Sequence, residues 1–226
     1  MSLKQFVLGA TMLFSASTFA QQSQPEAVAS KDVPQEAQAL ELAGKLVKYG
    51  YQTKSALPLI QAVEIFKNAN VQVSIPEAPK ETSGAQPNSH LSKTDVVSFD
   101  EKQILADATR FADGNKNLLA LIKDVEKTTR GATAVRKRYN DRILAGDTDI
   151  WKFTFRGLET AIVMVIGDGD TDLDLYVYDS KGNLIDSDED DTDNCVCTFT
   201  PRWTGTFYIK IVNRGRVYNN YTLIIN

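Results

Sequence analysis

Between about residue 34 and residue 130, apolar side chains recur with the period of an α-helix. This spacing predicts one helical hairpin over 34–70 and a second over 98–130. Ser98 and Glu101 have the spacing of a capping box, in which each side chain can hydrogen-bond the free backbone amide of the other. The capping box predicts that the second hairpin begins there.

The two predicted hairpins share a short sequence pattern. Residues 57–64 and 119–126 both follow L-x-L-I-x-x-V-E. Either they are two copies of one helical hairpin, or they are two ordinary helix pairs that share a core. Two copies are fewer than a free-standing solenoid usually needs.

Two stretches of this half lack any period. Residues 21–33 are small and polar, and we expect a flexible leader there. Residues 71–97 contain three prolines and the lone histidine, His90. Because prolines and small polar residues interrupt regular structure, 71–97 is predicted to be a linker or long loop.

After Gly131 the period of the apolar positions changes from that of a helix to that of a strand. Trp151, Phe153 and Phe155 alternate with polar residues, and similar short runs separated by turn residues follow to the C-terminus. This pattern predicts an antiparallel, jelly-roll-like β-sandwich of about seven or eight strands over 136–226. The predicted fold class is therefore α+β multidomain, with N-terminal helical hairpins followed by the β-sandwich.

The first twenty residues have the features of a secretory signal peptide. Lys4 is followed by a short apolar stretch and by small residues that end at Ala20. We therefore expect residues 1–20 to be removed and the mature protein to begin at Gln21, in the periplasm or outside the cell. No apolar run approaches the length of about 18 residues that a membrane-spanning helix needs.

Charge is distributed unevenly along the chain. The net charge is −4, yet residues 168–193 contain eleven acidic side chains and one basic one, so the chain outside this segment carries +6. The chain has no basic footprint for nucleic acid. One histidine and two cysteines argue against histidine-based catalytic triads and zinc clusters.

The acidic segment has the composition of a cation site. Asp170, Asp172 and Asp174 alternate along the chain, so an extended backbone places their carboxylates on one face. A second loop can supply Asp188, Asp190 and Asp193 if it meets the first at one end of the sandwich. Hard oxygen ligands of this kind suit calcium. The alternative is a solvated acidic rim.

Cys195 and Cys197 are two residues apart on a predicted strand. Their separation of about 6.6 Å is near the upper limit for a disulfide, so we expect a strained bridge or none. The pair is interpreted as small core residues that point inward beside Phe199, and a redox role is not expected.

Several motifs of the second half resemble one known family. They are Asp172-Leu173-Asp174-Leu175-Tyr176-Val177, the Gly182-Asn183 turn, Thr200-Pro201, Gly205-Thr206-Phe207-Tyr208 and Asn220-Tyr221-Thr222-Leu223. Residues of about 136–226 resemble the bacterial pre-peptidase C-terminal (PPC-like) domain. The resemblance implies a small secreted β-sandwich of the type appended to proteases and other exported proteins, and it favours calcium at the acidic cluster because some members bind calcium. The helical region carries no recognisable peptidase.

Tyr176, Tyr178 and Tyr208 are predicted to point away from the sandwich core. Such aromatic side chains can stack on sugar rings or hold an extended peptide, or they can simply cover the sheet. We therefore expect an exported, non-enzymatic binding or scaffolding protein that acts on an extracytoplasmic protein or polymer. The alternative is a hydrolase, or an accessory chain of one, that uses the acidic cluster; no general base accompanies that cluster.

Overall fold

The computed structural model describes residues 24–73, 80–84, 97, 99–128 and 136–226. Helices occupy the first part of the described chain and two sheets the second, which confirms the α+β class with a β-sandwich. The predicted signal peptide over 1–20, His90 and Ser98 lie outside the described residues.

The helices agree closely with the predicted hairpins. They are α1 (Gln35–Thr53), α2 (Ala56–Asn68), α3 (Glu101–Phe111) and α4 (Lys116–Lys127). Asp100 is the N-cap of α3, and its side chain accepts a hydrogen bond from the Gln103 amide at 3.0 Å. The helix therefore begins later than the predicted capping box, because Asp100 satisfies one of its free amides directly.

The strands form the two sheets of a sandwich. They are β1 (Ala27–Ala29), β2 (Val71–Val73), β3 (Lys80–Ser83), β4 (Arg136–Ile143), β5 (Thr148–Phe155), β6 (Ala161–Ile166), β7 (Leu173–Asp179), β8 (Leu184–Asp188), β9 (Asn194–Pro201), β10 (Gly205–Asn213) and β11 (Asn219–Ile225). The six-stranded sheet has the order β1-β9-β6-β11-β4-β2, and the five-stranded sheet has the order β3-β5-β10-β7-β8. The β2–β4 pair is parallel, and the other pairs are antiparallel.

The predicted leader and linker need correction at three short strands. Ala27–Ala29 pairs with β9, Val71–Val73 with β4 and Lys80–Ser83 with β5. Each of these strands covers a sheet edge whose amides and carbonyls would otherwise be unpaired. Strands of three or four residues are too short to show a period of two, so the sequence pattern does not reveal them.

The helices and the sandwich share a core. In β6, Ile162, Met164 and Ile166 pack with the helices, whereas Val163 and Val165 point into the sandwich. A Cβ on Gly44 of α1 would lie only 2.7 Å from Ile166 Cγ2, so this glycine lets the helix approach the sheet closely. The helical hairpins are therefore a layer that covers the six-stranded sheet.

The antiparallel strands divide the connecting loops into two groups, one at each end of the sandwich. One end, called the acidic end below, carries the loops 167–172, 189–193 and 214–218. The other end, called the hairpin end below, carries the loops 156–160, 180–183 and 202–204. The length of a strand separates the two ends.

Candidate functional site

The acidic end brings the two predicted acidic loops together, but protein side chains already engage several of the acids. Asp174, on β7, is buried; it pairs with the Arg214 guanidinium and accepts a hydrogen bond from the Tyr176 hydroxyl at 3.0 Å. One of the predicted metal ligands is thus neutralised by an arginine from the loop after β10.

Asp193 is engaged by a lysine from the helical layer. Lys48 Nζ of α1 pairs with Asp193 Oδ1 and also donates to Asn194 Oδ1 at 2.8 Å. The other carboxylate oxygen of Asp193 accepts from the Gly169 amide at 2.5 Å and from Asn219 Nδ2 at 3.0 Å. This buried acid therefore holds the loop 167–172 and joins the helices to the sandwich.

Asp188 has a backbone role that it shares with Asp186. Asp188 Oδ2 accepts from the Val196 amide at 2.8 Å, and Asp186 Oδ2 accepts from the Thr198 amide at 2.9 Å. These alternate amides of β9 lie beyond the segment that pairs with β1. Two side chains of β8 thus continue the pairing of this edge in place of a strand.

Two of the three remaining predicted ligands, Asp170 and Asp190, are exposed. Asp190 accepts from the Thr192 amide at 2.9 Å and from the Thr192 hydroxyl at 2.7 Å, which shapes the turn 190–192. Asp170 is an exposed residue of the loop 167–172. Both carboxylates face the solvent at the acidic end.

Asp172 is the acid of this end whose environment is unfavourable for its charge. Its Oδ1 atom is buried and makes no hydrogen bond. Desolvation raises the pKa of the Asp172 carboxyl above its ordinary value of 3.8, and the nearby charges of Asp174, Asp191 and Asp190 raise it further, while Arg214 lowers it. The negative charge around Asp172 is therefore only partly compensated by the protein.

The predicted ligands do not converge on one point. Within the described residues, no three Asp, Glu, His or Cys side chains are placed so that they could hold a metal ion together. The sequence did not reveal the basic partners, since Lys48 and Arg214 lie far from the acidic segment in the chain. The charge of +6 outside that segment was the one indication that such partners were available.

A buried carboxylate with several polar partners lies between the sheets and was not predicted. The fully buried Asp149 accepts from the Tyr221 hydroxyl at 2.7 Å and from the Thr82 hydroxyl at 2.6 Å, and it pairs with Lys80 Nζ at 3.3 Å. Trp151 Nε1 donates to the Tyr221 hydroxyl at 2.8 Å. The short strand β3 thus brings a lysine and a threonine to a carboxylate that would otherwise be a lone buried charge.

The cysteines are core residues, as the sequence predicted. Cys195 and Cys197 are both buried and are not bridged. The Cys195 thiol donates to the Leu173 carbonyl at 2.9 Å, and burial raises the pKa of both thiols strongly. A thiol that resists ionisation is a poor nucleophile.

The predicted tyrosines lie on the outer face of the five-stranded sheet, which the helices do not cover. The rings of Tyr176 and Tyr178 stack with their centroids 6.4 Å apart, and Tyr208 faces Tyr178 across the β7–β10 pair. Lys210 Nζ lies 5.4 Å from the centroid of the Tyr176 ring, and Lys152 Nζ lies 5.9 Å from that of Tyr208. Together they form an aromatic and basic surface, called the tyrosine face below.

A groove with a volume of about 550 Å³ lies where α3 begins beside β4 and β11. Phe99, Asn140, Arg142 and Thr222 are among the residues that line it. None of the six predicted metal ligands belongs to its lining, so this groove and the acidic cluster are separate features.

Comparison with known proteins gives one family match, over part of the sandwich. No curated protein matches the chain. In the described residues, no helix is long and apolar enough to cross a membrane. Residues 147–212, which run from the start of β5 almost to the end of β10, match the family model of the bacterial pre-peptidase C-terminal domain. The matched part of the sandwich, which carries the loops 167–172 and 189–193 and the tyrosine face, is therefore similar to a bacterial pre-peptidase C-terminal domain.

Proposed function

We propose that the protein is an exported, non-catalytic binding module that attaches to an extracytoplasmic polymer, a polysaccharide or an extended polypeptide, through its tyrosine face. The family match indicates an extracellular, protease-associated module. The observation that carries the proposal is the clustering of three tyrosines and two lysines on the sheet face that the helices leave open.

The chemistry of this face suits a polymer. Tyrosine rings offer apolar faces for stacking and hydroxyl groups for hydrogen bonds, and they lose little conformational entropy on binding. Lys152 and Lys210 lie beside the rings of Tyr208 and Tyr176, where an ammonium can both hold the ring by a cation–π contact and attract an anionic group of the ligand. An open sheet face of this kind fits an extended chain better than a small molecule, which needs a concave pocket.

The contacts of the acids support a non-catalytic role. Asp174, Asp188 and Asp193 are held by an arginine, a backbone amide and a lysine. Carboxylates held in this way by the protein's own donors stabilise the loops that carry them. The groove beside α3 lies apart from them. The contacts of these three acids therefore give no support to the alternative of a hydrolase that uses the acidic cluster.

The tyrosine face is tested by retention on insoluble polymers. Residues 21–226 are incubated with peptidoglycan, chitin and gelatin, and the bound fraction is measured by sedimentation. We expect retention on at least one polymer, and Tyr208→Ala and Tyr178→Ala should each weaken it by about tenfold, the effect of losing about 1.4 kcal/mol at a binding hot spot.

Tyr49→Ala is the matched control, since Tyr49 is an exposed tyrosine of α1 on the helical layer. Its removal should leave retention unchanged. Equal retention of wild type, Tyr178→Ala and Tyr208→Ala would contradict the proposal, as would an absence of retention on all three polymers.

We also propose that the acidic end binds calcium. Supporting this are the unpartnered oxygen of Asp172 and the like charges of Asp174, Asp190 and Asp191 that act on it. Calcium accepts six to eight oxygen ligands in a flexible geometry, so it can recruit exposed loop acids such as Asp170 and Asp190 that do not converge in its absence. Asp193 and Asp174, which pair with Lys48 and Arg214, stabilise the loops that carry these exposed acids.

Calcium should raise the melting temperature of residues 21–226. Binding to the folded state alone stabilises it by about 2.7 kcal/mol at a hundredfold excess over the dissociation constant, which for a protein of this size is a rise of about 5–10 °C. Magnesium should do less because it loses its water reluctantly. Asp172→Asn should abolish most of the calcium shift, whereas Glu159→Gln, at the hairpin end, should retain it.

Asp172→Asn should also raise the melting temperature at pH 7 in the presence of a chelator. Since the pKa of Asp172 is raised in the folded protein, its ionised form costs stability, and this cost grows as the pH rises from 3.8 through the raised pKa. The variant and the wild type should therefore converge as the pH is lowered toward 3.8. If calcium raised the melting temperature of Asp172→Asn as much as that of the wild type, the proposed calcium site at Asp172 would be wrong. The acidic end would then be interpreted as a solvated acidic rim.

A further inference from the structure

The hairpin end exposes two large apolar side chains next to each other. Leu158, in the loop between β5 and β6, is 82% exposed, and Trp203, in the loop between β9 and β10, is 49% exposed. The other tryptophan, Trp151, is buried between the sheets and is not exposed to solvent.

Backbone contacts fix these two loops to each other. The Leu158 amide donates to the Pro201 carbonyl at 2.8 Å, and the Gly157 amide donates to the Thr204 hydroxyl at 3.0 Å. A Cβ on Gly157 would lie 2.6 Å from Trp203 Cα, so only glycine allows the loops to pack this closely. Leu158 and Trp203 are therefore presented together as one preorganised unit.

Leu158 is also held in an unfavourable conformation. Its φ angle is +65°, in the left-handed region that glycine and asparagine adopt more readily than leucine. An exposed position of this conformation ordinarily carries a polar or glycine residue, which would be more stable and more soluble. Strain that is kept at an exposed apolar residue indicates that the side chain is used for binding.

The exposed charges around the pair are predominantly basic. Exposed cationic side chains come from Arg156, Lys181 and Arg202, and the exposed acid is Glu159, which lies 3.8 Å from Arg156. Lys181 lies 6.0 Å from the centroid of the Trp203 ring. Two further acids at this end are buried: Glu26 pairs with Lys181, and Asp179 accepts hydrogen bonds from backbone amides.

The rest of the charge distribution favours one orientation. The strongly acidic loops lie at the opposite end of the sandwich, so an anionic surface repels that end and leaves the hairpin end to approach. Leu158 and Trp203 form an exposed apolar pair. It matches a lipid interface, where leucine enters the acyl region and tryptophan lies at the level of the headgroups.

We propose that the hairpin end is a membrane-docking surface that inserts Leu158 and Trp203 into the interface of a bilayer containing anionic phospholipid. Arg156, Lys181 and Arg202 then lie at the level of the phosphates. Two apolar side chains give weak, reversible binding that needs millimolar lipid, because even a single myristoyl chain gives only marginal attachment. This surface is independent of the tyrosine face and of the acidic end.

Vesicles of equimolar phosphatidylcholine and phosphatidylglycerol test the proposal with residues 21–226. Sedimentation of sucrose-loaded vesicles gives the bound fraction, and brominated lipids quench a tryptophan that enters the bilayer. We expect binding that weakens with salt and quenching of Trp203 emission. Leu158→Asn should reduce binding by about fivefold, a loss of about 1 kcal/mol, and should not lower the melting temperature, because asparagine tolerates the left-handed conformation.

Trp203→Ser should lose both the binding and the quenching. Leu42→Gln, which removes a half-exposed leucine from α1, is the control and should bind as the wild type does. An absence of quenching, or equal binding of Leu158→Asn, would overturn the proposal. It would also be overturned if Leu158→Asn lost retention on an insoluble polymer instead, since the hairpin end would then belong to polymer binding.

Discussion

Residues 136–226 expressed alone will fail to form a stable domain, although they contain the eight strands β4 to β11. On the six-stranded sheet, Ile162, Met164, Ile166 and Ile224 are buried by the helices. Burial of each such side chain is worth about 1.5–3 kcal/mol, so the four together approach the whole free energy of unfolding of an ordinary domain. The fragment also lacks β1, β2 and β3, and with them Lys80, the cation that pairs with Asp149.

The comparison is between residues 136–226 and residues 21–226, by thermal unfolding, size-exclusion chromatography and binding of a hydrophobic dye. We expect the longer chain to unfold in one cooperative transition, because the helices and the sandwich share a core. The fragment should bind the dye, aggregate, and show no sharp transition. A monomeric fragment that melts within a few degrees of the longer chain would contradict this expectation.

A substituted fragment tests the cause. Replacing Ile162, Met164, Ile166 and Ile224 by threonine should make residues 136–226 more soluble, because the exposed face becomes polar while its β-propensity is kept. The same substitutions should strongly destabilise residues 21–226, because that face packs against the helices there. We therefore expect the four substitutions to raise the solubility of residues 136–226 and to lower the free energy of unfolding of residues 21–226.

The sequence predicted the elements well wherever a period was long enough to read. The helix period placed α1 to α4, and the uninterrupted apolar run of β6, Ala161–Ile166, is typical of a strand that is buried on both faces. The structure gives the reason for that run: alternate residues of β6 face the helices and the sandwich interior, so neither face is solvated. The same run contained the evidence that the helices cover this sheet.

The sequence could not predict which short strands pair at the edges of the two sheets. The short strands β1, β2 and β3 are defined by their partners rather than by their own pattern, and one of them, β3, brings Lys80 to the buried Asp149. Likewise, the alternation of acids predicted one cluster of carboxylates but not the contacts that divide it. Asp188 faces the amides of β9, whereas Asp174 and Asp193 pair with basic side chains from distant parts of the chain.

Loss of the Lys48 ammonium will be the most damaging single charge removal at the acidic end. The side chain of Lys48 is 19% exposed and that of Asp193 is 5% exposed, so the pair is largely shielded from water. Lys48→Met keeps most of the apolar stem but leaves Asp193 as a buried carboxylate without a cation. We expect the free energy of unfolding of residues 21–226 to fall by about 3 kcal/mol, the lower end for breaking a buried pair, because backbone and amide groups still donate to Asp193.

The measurement is equilibrium unfolding in urea with a double-mutant cycle. Asp193→Asn alone should cost less than Lys48→Met, because an asparagine oxygen can still accept from the Gly169 amide. Adding Asp193→Asn to Lys48→Met should recover part of the loss, since the uncompensated charge is then gone. The coupling energy between the two positions is expected to be about 1–3 kcal/mol.

Lys45→Met provides the matched control on the same helix. Lys45 pairs with Glu41 one turn away, but its side chain is 60% exposed, so this pair is worth about 0.5 kcal/mol or less. The contrast follows from solvent screening alone, because both substitutions remove an ammonium from α1. Equal small effects of Lys45→Met and Lys48→Met would mean that Asp193 is stabilised by its amide donors alone. The helical layer would then be attached to the acidic end by its apolar contacts, with no electrostatic contribution from Lys48.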